Sequence, residues 1–282
     1  MKVLVSGLNG FTGQFVQREL ESHGHQVVGL KARLFDKIGI EREVREISPD
    51  AVIHLAAVAF VAYGNADDFY HVNLIGTRNI LAGLVCCEVP PKCVLLASSA
   101  NVYGNVDVDI IDESTPPRPA NDYGVSKLAM EYMAKTWIDK LPIVITRPFN
   151  YTGLGQSEQF LLPKIISHYK RKADFIELGN LDVERDFSDV RAVARCYRHL
   201  IEAPPPLGEV INICSGRATS LAEILKIMKH LTKHDMKIIV NPDFVRANEV
   251  KRLCGSRSKL EYLIGPIENI ELEDTLYWML NS

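Results

Sequence analysis

Through the first half of the chain, short apolar runs rich in β-branched residues alternate with segments whose apolar positions recur every three or four residues. That pattern predicts repeated βαβ units around a parallel sheet. Residues 3–5, 26–30, 51–55, 93–97 and 143–146 read as strands, and residues 12–22, 41–47, 67–85 and 123–138 as the helices crossing between them. Pro49, the Pro90-Pro91 pair and Pro142 stand just before three of the strands, where proline stops a helix from running on. After about residue 150 the alternation loosens. A helix near 162–171, a proline-rich turn at 203–208, a strand at 210–213 and a helix at 220–231 follow. The expected fold class is α/β: a doubly wound parallel sheet with a smaller C-terminal lobe. Residues 1–150 make the sheet domain, with room in its core for strands near 183–214. Residues 151–282 form mainly the second lobe, and a ligand fits the cleft between the two.

Composition narrows the classes. A 47% hydrophobic, 24% charged chain of 282 residues is globular, with room for one large domain or two unequal ones. The 32 basic and 35 acidic residues leave a formal charge of −3, so no overall positive field exists to hold nucleic acid or an anionic membrane. Cys86, Cys87, Cys93, Cys196, Cys214 and Cys254 lack the paired C-x-x-C spacing of a zinc or redox site and read as reduced core thiols. No metal is expected. The sequence has no secretory signal pattern and no stretch of about 18 apolar residues, so a cytoplasmic protein that engages no membrane is expected.

Gly7-Leu8-Asn9-Gly10-Phe11-Thr12-Gly13 follows the first strand and opens the first helix. Glycines there let the backbone turn tightly and approach a pyrophosphate, whose charge meets the free amides and positive end of the helix. In this position after an N-terminal strand, the loop marks residues 1–150 as a dinucleotide-binding domain. An NAD-preferring site ends its second strand with an acidic residue for the ribose. Here Lys31 and Arg33 stand instead, which suits a 2′-phosphate and favours NADP(H), with NAD(H) possible and an ordinary solvated surface pair as the alternative. Asp36, slightly further on, is a weaker candidate for the adenine side of the pocket.

Ser99 follows the fourth strand, and Tyr123 and Lys127 lie four apart on a helix, hence on one face. An ammonium beside a phenol is expected to lower its pKa and make it a proton relay, while the serine hydroxyl hydrogen-bonds the reacting oxygen. Tyr-x-x-x-Lys alone is a common chance pairing; combined with the glycine loop and the serine strand end, it points to catalysis.

These motifs, with Asp50-Ala51-Val52-Ile53-His54-Leu55-Ala56-Ala57, Asn73 and Arg147-Pro148-Phe149-Asn150, resemble the extended short-chain dehydrogenase/reductases that act on nucleotide sugars. The resemblance covers nearly the whole chain and implies a Rossmann-like fold. It implies a cofactor held by Gly7, Asn9, Gly10, Phe11, Thr12 and Gly13, by Leu55, Ala56 and Ala57, and by Asn73, Tyr123 and Pro148, with Lys127 on the nicotinamide ribose. His54 is then a strand residue rather than a metal ligand. Downstream, the segments at 149–156, 179–191 and 245–250 are most like the GDP-6-deoxy-4-keto-mannose reductases and their dehydratase relatives. By that likeness Ser99, Asn101, Asn150, Arg185, Arg246 and Glu249 face the sugar nucleotide. Two arginines suit a diphosphate, since a guanidinium donates in a fork; surface ion pairs are the plain alternative.

The resemblance also orders the reactions. Dehydratases of this family carry acidic residues just after the catalytic hydroxyl, where this chain has Ala100 and Asn101. The expected reaction is therefore NAD(P)H-dependent reduction of the C4 ketone of a 4-keto-6-deoxy sugar, GDP-linked by the downstream motifs. The short connection after the second strand is similar instead to reductases of dTDP-linked sugars, and Leu263-Ile264-Gly265-Pro266 departs from the family's Gly-Trp-x-Pro, which leaves the base open. A 4-epimerase with retained NAD is the nearest competitor, and a cofactor-sensing protein without turnover is a third reading. The helices at 67–85 and 123–138 resemble the pair that joins homodimers in this family, although their apolar stripes also fit packing within one chain.

Overall fold

A computed structural model describes residues 1–59, 65–204, 206–245 and 250–282. Its centre is a parallel sheet built from β1 (Lys2–Ser6), β2 (Gln26–Gly29), β3 (Ala51–His54), β4 (Cys93–Ala97), β5 (Ile143–Pro148) and β9 (Val210–Ile213). The spatial order is β2-β1-β3-β4-β5-β9. All five strands expected from the first half are present, and the strand at 210–213 joins them as the edge beside β5.

Two-residue alternation explains why the strands read as continuous apolar runs. Val3 and Val5 enter one core with Phe15, Val16 and Leu20, whereas Leu4 enters a second core on the opposite face with Ile40, Val44, Ile80 and Leu84. The first face is covered by α1 (Phe11–Ser22) and α7 (Val190–Glu202); the second by α2 (Lys37–Ile47), α4 (Thr77–Val85) and α5 (Asp122–Lys135). Helices on both faces make the sheet doubly wound. The chain reverses its winding between β1 and β3, and in such sheets ligands settle at the carboxyl ends of the strands beside that reversal.

The helix expected over 67–85 is not a continuous α-helix. A short helix, α3 (Ala66–Phe69), passes through a π-helical turn, Tyr70–Gly76, before α4 begins. The wider turn carries Asn73 into the buried interior.

After β5 the chain forms the short strand β6 (Asn150–Thr152), then α6 (Leu161–Lys170), β7 (Phe175–Leu178) and β8 (Glu184–Asp189). The last of these pairs with β6, with β10 (Ala218–Ser220) and with β12 (Arg252–Leu253), while β7 pairs with β11 (Lys237–Val240). A separate apolar core gathers Leu162, Ile165, Ile176 and Leu178 with Leu221 and Met228 of α8 (Leu221–Thr232) and, after the short helix α9 (Ser258–Ile264), Leu276 and Met279 of α10 (Leu272–Asn281). Among the described residues no helix is long and apolar enough to cross a membrane.

Candidate active site and cofactor cradle

The glycine loop sits at the reversal point. Gly7 adopts φ +75°, and a Cβ there would lie 2.9 Å from the Ala56 amide nitrogen, so glycine lets β1 and the end of β3 converge. A Cβ at Gly13 would fall 2.3 Å from the Gly7 carbonyl oxygen, which fixes the close seat of α1 against the loop. Gly10 caps α1 without any side-chain acceptor, leaving first-turn amides uncovered at the positive end of the helix. This cradle fits a dinucleotide pyrophosphate. Asn9 and Gly10 are exposed on the loop, and Leu55, Ala56 and Ala57 run partly exposed beside it.

The other cofactor candidates separate into surface and scaffold. Lys31 and Arg33 are exposed past the end of β2, and neither side chain is paired with a carboxylate among the described residues. Glu43 of α2 instead accepts the Lys31 and Ala32 amides at 2.8 and 2.7 Å, fixing this segment. Asp36 has a local task as the N-cap of α2, accepting from the Gly39 amide at 2.8 Å. Asn73 bonds both backbone groups of Val58 and the Ser126 hydroxyl at 3.0–3.1 Å, so it holds the loop after β3 against α5. Pro148 is buried at the end of β5, paired in register with Ile213. Thr12 lies 2.9 Å, oxygen to oxygen, from Tyr151. Each nitrogen of the buried His54 ring is taken, by Ser6 at 2.5 Å and Thr77 at 2.8 Å, so the ring acts as a strand residue.

Ser99, Tyr123 and Lys127 converge at the ends of β4 and α5, all buried. Asn121 caps α5 through the Gly124 amide and sets the first turn, from which Tyr123 reaches a hydrogen bond with Ser99. The Ser99 oxygen accepts from the Asn101 backbone amide at 3.2 Å and from its side-chain amide at 3.1 Å. With those acceptor positions filled, the hydroxyl proton is what Ser99 has left to offer.

One expectation is corrected here. The phenol of Tyr123 is not brought down by Lys127; burial pushes it up to about 12, against a smaller downward pull from Ser99. The Lys127 ammonium points instead to the Ala97 carbonyl at 2.7 Å. Burial pulls that lysine down to about 8, while Glu131 one turn along acts in the opposite direction. At neutral pH the site therefore holds a protonated phenol beside a charged lysine.

The sequence did not single out what lies behind these residues. Glu131 and Arg147, both buried, form a two-pronged ion pair at 2.9 and 2.6 Å, and Ser98 donates to the same carboxylate at 2.5 Å. Arg147 also lies 4.7 Å from the ring centre of Tyr103. Among the sugar-side candidates, Asn150 has a buried amide nitrogen with no partner, and Asn101 is exposed beside Ser99. Arg185 is partly buried on β8 and donates to the carbonyls of Glu184 and Lys251. Arg246 and Glu249 lie outside the described residues.

The model of the NAD dependent epimerase/dehydratase family matches residues 3–214, which takes in the glycine loop, the buried serine, tyrosine and lysine, and strands β1 to β9. The chain belongs to that family. It is an NAD(P)-dependent enzyme of the extended short-chain dehydrogenase/reductase type. It is 36% identical to the GDP-6-deoxy-D-talose 4-dehydrogenase of Aggregatibacter actinomycetemcomitans, over 94% of this chain and 92% of that protein. It is 30% identical to the GDP-6-deoxy-D-mannose reductase of Pseudomonas aeruginosa, over 100% of this chain and 96% of that one. Among solved structures, RMD from Pseudomonas aeruginosa complexed with NADPH superposes with a TM-score of 0.89 at 30% identity, covering 99% of this chain and 97% of that chain. A Burkholderia cenocepacia J2315 protein provisionally described as an epimerase superposes with a TM-score of 0.94 at 46% identity, over the same shares of the two chains.

Proposed function

We propose that the protein reduces the C4 ketone of a GDP-linked 4-keto-6-deoxy sugar, with NADPH as its favoured reductant. The observation that carries this reading is the convergence of Ser99, Tyr123 and Lys127, all buried, with Tyr123 hydrogen-bonded to Ser99 at the carboxyl edge of the sheet. A protonated phenol there can give a ketone oxygen its proton in reduction and takes it back in the reverse oxidation, so the direction rests on the relatives and the cofactor residues. Bound in the cradle, NAD(P)H supplies the hydride that C4 receives. Ser99 donates to the carbonyl oxygen as charge builds on it, and Tyr123 gives that oxygen its proton. Lys127 would hold the nicotinamide ribose.

The two GDP-sugar relatives support the same ketone. Talose and mannose differ in configuration at C4, so oxidising a 6-deoxytalose at C4 and reducing to a 6-deoxymannose share one 4-keto-6-deoxy intermediate. The segment at 98–101 bears no carboxylate after Ser99, which favours reduction over 4,6-dehydration. Exposed, unpaired Lys31 and Arg33 favour the 2′-phosphate of NADPH. The unpartnered amide of Asn150 supports a donor for the sugar, and Arg185 a contact to the diphosphate; Arg246 and Glu249 enter the reading on the sequence alone.

In this reading the dinucleotide is held by residues 1–150 together with β9, and the sugar nucleotide mainly by residues 151–282. Six free thiols fit a reducing, cytoplasmic setting. Ile75, Val125 and Tyr132 are exposed on the π-helical turn and α5, which supports a homodimer across that face.

The experiment is to mix the purified protein with NADPH or NADH and a panel of GDP- and dTDP-linked 4-keto-6-deoxy sugars, following cofactor absorbance and identifying the product. Stoichiometric NADPH consumption with a new C4 alcohol is the expected result. Tightly bound NAD with interconversion of 4-hydroxy sugars, and no consumption with any ketone, would replace it with an epimerase.

A further inference from the structure

We infer that Glu131 is a positioning residue of the active site: locked by Arg147 and Ser98, its carboxylate keeps Lys127 charged inside a dry site and fixes the end of β4 against α5. The inference rests on the catalytic reading of Ser99, Tyr123 and Lys127 given above.

Geometry comes first. Glu131 lies one turn beyond Lys127 on α5, so the two share a face. Its carboxylate receives three hydrogen bonds, two from Arg147 on β5 and one from Ser98, the neighbour of Ser99. One side chain thus ties together the three segments that carry Ser99, Lys127 and the start of the sugar-side stretch at 147–150. Breaking one partner of such a buried pair leaves an uncompensated charge, so this is an expensive arrangement to keep for packing alone.

Charge comes second. The groups that face Lys127 are Tyr123 and Glu131 on its own helix, His54 on β3, the Ala97 carbonyl and Ser98 at the end of β4, and Arg147 beyond Glu131 on β5. His54 is driven down to about 3 by burial and by Lys127, so it is neutral. Tyr123 is protonated. Glu131 is accordingly the anion that offsets the burial of the ammonium. Its own charge is held by Arg147 rather than by a salt bridge to Lys127, whose ammonium is bonded to the Ala97 carbonyl instead.

The test is the pH profile of Glu131→Gln in the intact protein, read in NADPH turnover and, separately, in NADPH binding by fluorescence. Loss of the proton from Lys127, whose pKa burial brings down to about 8, is expected to set an alkaline limb in the wild type. Glu131→Gln is expected to move that limb down by about one pH unit or more in both readouts. Ser98→Ala keeps the charge and drops one tie, so its limb is expected to stay in place while kcat falls about fivefold. A folded Glu131→Gln with an unmoved limb overturns the electrostatic role, and Ser98→Ala with wild-type kcat overturns the positional one. If Glu131→Gln alone does not fold, Glu131→Gln with Arg147→Met is compared with Arg147→Met alone, so that only the carboxylate differs, and a limb at the same pH in both is equally fatal. The binding limb needs no sugar. A wild type that binds NADPH yet reduces no ketone would sink the proposed reductase activity, while the binding limb still decides the part played by Glu131.

Discussion

The hydroxyl of Thr12, in the first turn of α1, lies 2.9 Å from that of Tyr151 on β6, and the ring of Phe11 stacks on the same tyrosine at 6.2 Å and 10°. The glycine loop is thereby latched to the strand that begins at Asn150. A partly buried hydroxyl pair of this kind contributes about 1 kcal/mol, and burial raises the Tyr151 phenol, so it stays neutral.

Tyr151→Phe keeps the stack and loses the latch. Affinity for NADPH is expected to fall about fivefold, with a matching rise in KM for the sugar. Thr12→Val is expected to do the same, and the double variant to be no worse than either single one. A double-mutant cycle read by NADPH titration checks this; simple additivity of the two effects would mean that the hydroxyls act independently.

Tyr123→Phe removes the transferable proton with almost no change in volume, and the Phe69 ring at 6.0 Å keeps its neighbour. Turnover is expected to drop by about 10²- to 10⁴-fold while NADPH binding stays near wild type. Steady-state kinetics beside a binding titration separate the two. A variant that binds NADPH and retains turnover would require another proton donor.

Much of this was legible in the sequence because strands and loops advertise themselves by composition. The run Val3-Leu4-Val5 feeds both cores in alternation, and the glycines at 7 and 13 occupy places where a Cβ would collide with backbone. Other features leave no such trace. A π-helical turn at Tyr70–Gly76 preserves helical apolar spacing closely enough to pass as one continuous helix over 67–85. Of the strands expected near 183–214 in the sheet domain's core, β9 joins the central sheet but β8 does not; it pairs with β6, β10 and β12, and its polar Arg185, Asp186 and Ser188 give no apolar run to place it. Asp186 is nonetheless buried, with its carboxylate filled by the amides of Ser215, Gly216 and Gly255 and the Ser215 hydroxyl. Glu131 is masked in the same way, as a charged residue at a helical position that reads as surface until Arg147 is placed opposite it. The expected lowering of the Tyr123 phenol failed for a related reason: spacing reports which residues share a face, whereas burial decides which charge they carry.

Cofactor choice is expected to follow Lys31 and Arg33. Replacing both with Ala should lower kcat/KM for NADPH about 10- to 100-fold and leave that for NADH nearly unchanged, since only the 2′-phosphate loses its charged donors. The backbone there is held by Glu43 rather than by the two side chains, so the substitutions leave the loop in place. An unchanged NADPH-to-NADH ratio would assign the pair to the solvated surface.

His54 gives the fold a defined acid sensitivity. Thr77 spends its hydroxyl proton on the Asn73 carbonyl at 2.7 Å, so it can only accept from His54, which places the ring proton on Nε2 and leaves Nδ1 to accept from Ser6. Burial, with a further push from the Lys127 charge, takes the pKa of this neutral ring from 6.5 down to about 3. The unfolded chain therefore binds a proton below pH 6.5 that the folded chain refuses until about pH 3. Stability attributable to His54 is intact above pH 6.5 and declines as the pH falls through that window, by about 1.4 kcal/mol per unit. His54→Gln offers a donor and an acceptor but does not titrate. Urea unfolding at pH 7, 5 and 4 is expected to show a lower stability at pH 7 for the variant and a pH slope shallower by one proton. Equal slopes in the two proteins would mean that His54 is protonated in the folded state and that the Ser6–His54–Thr77 chain rearranges to accept it.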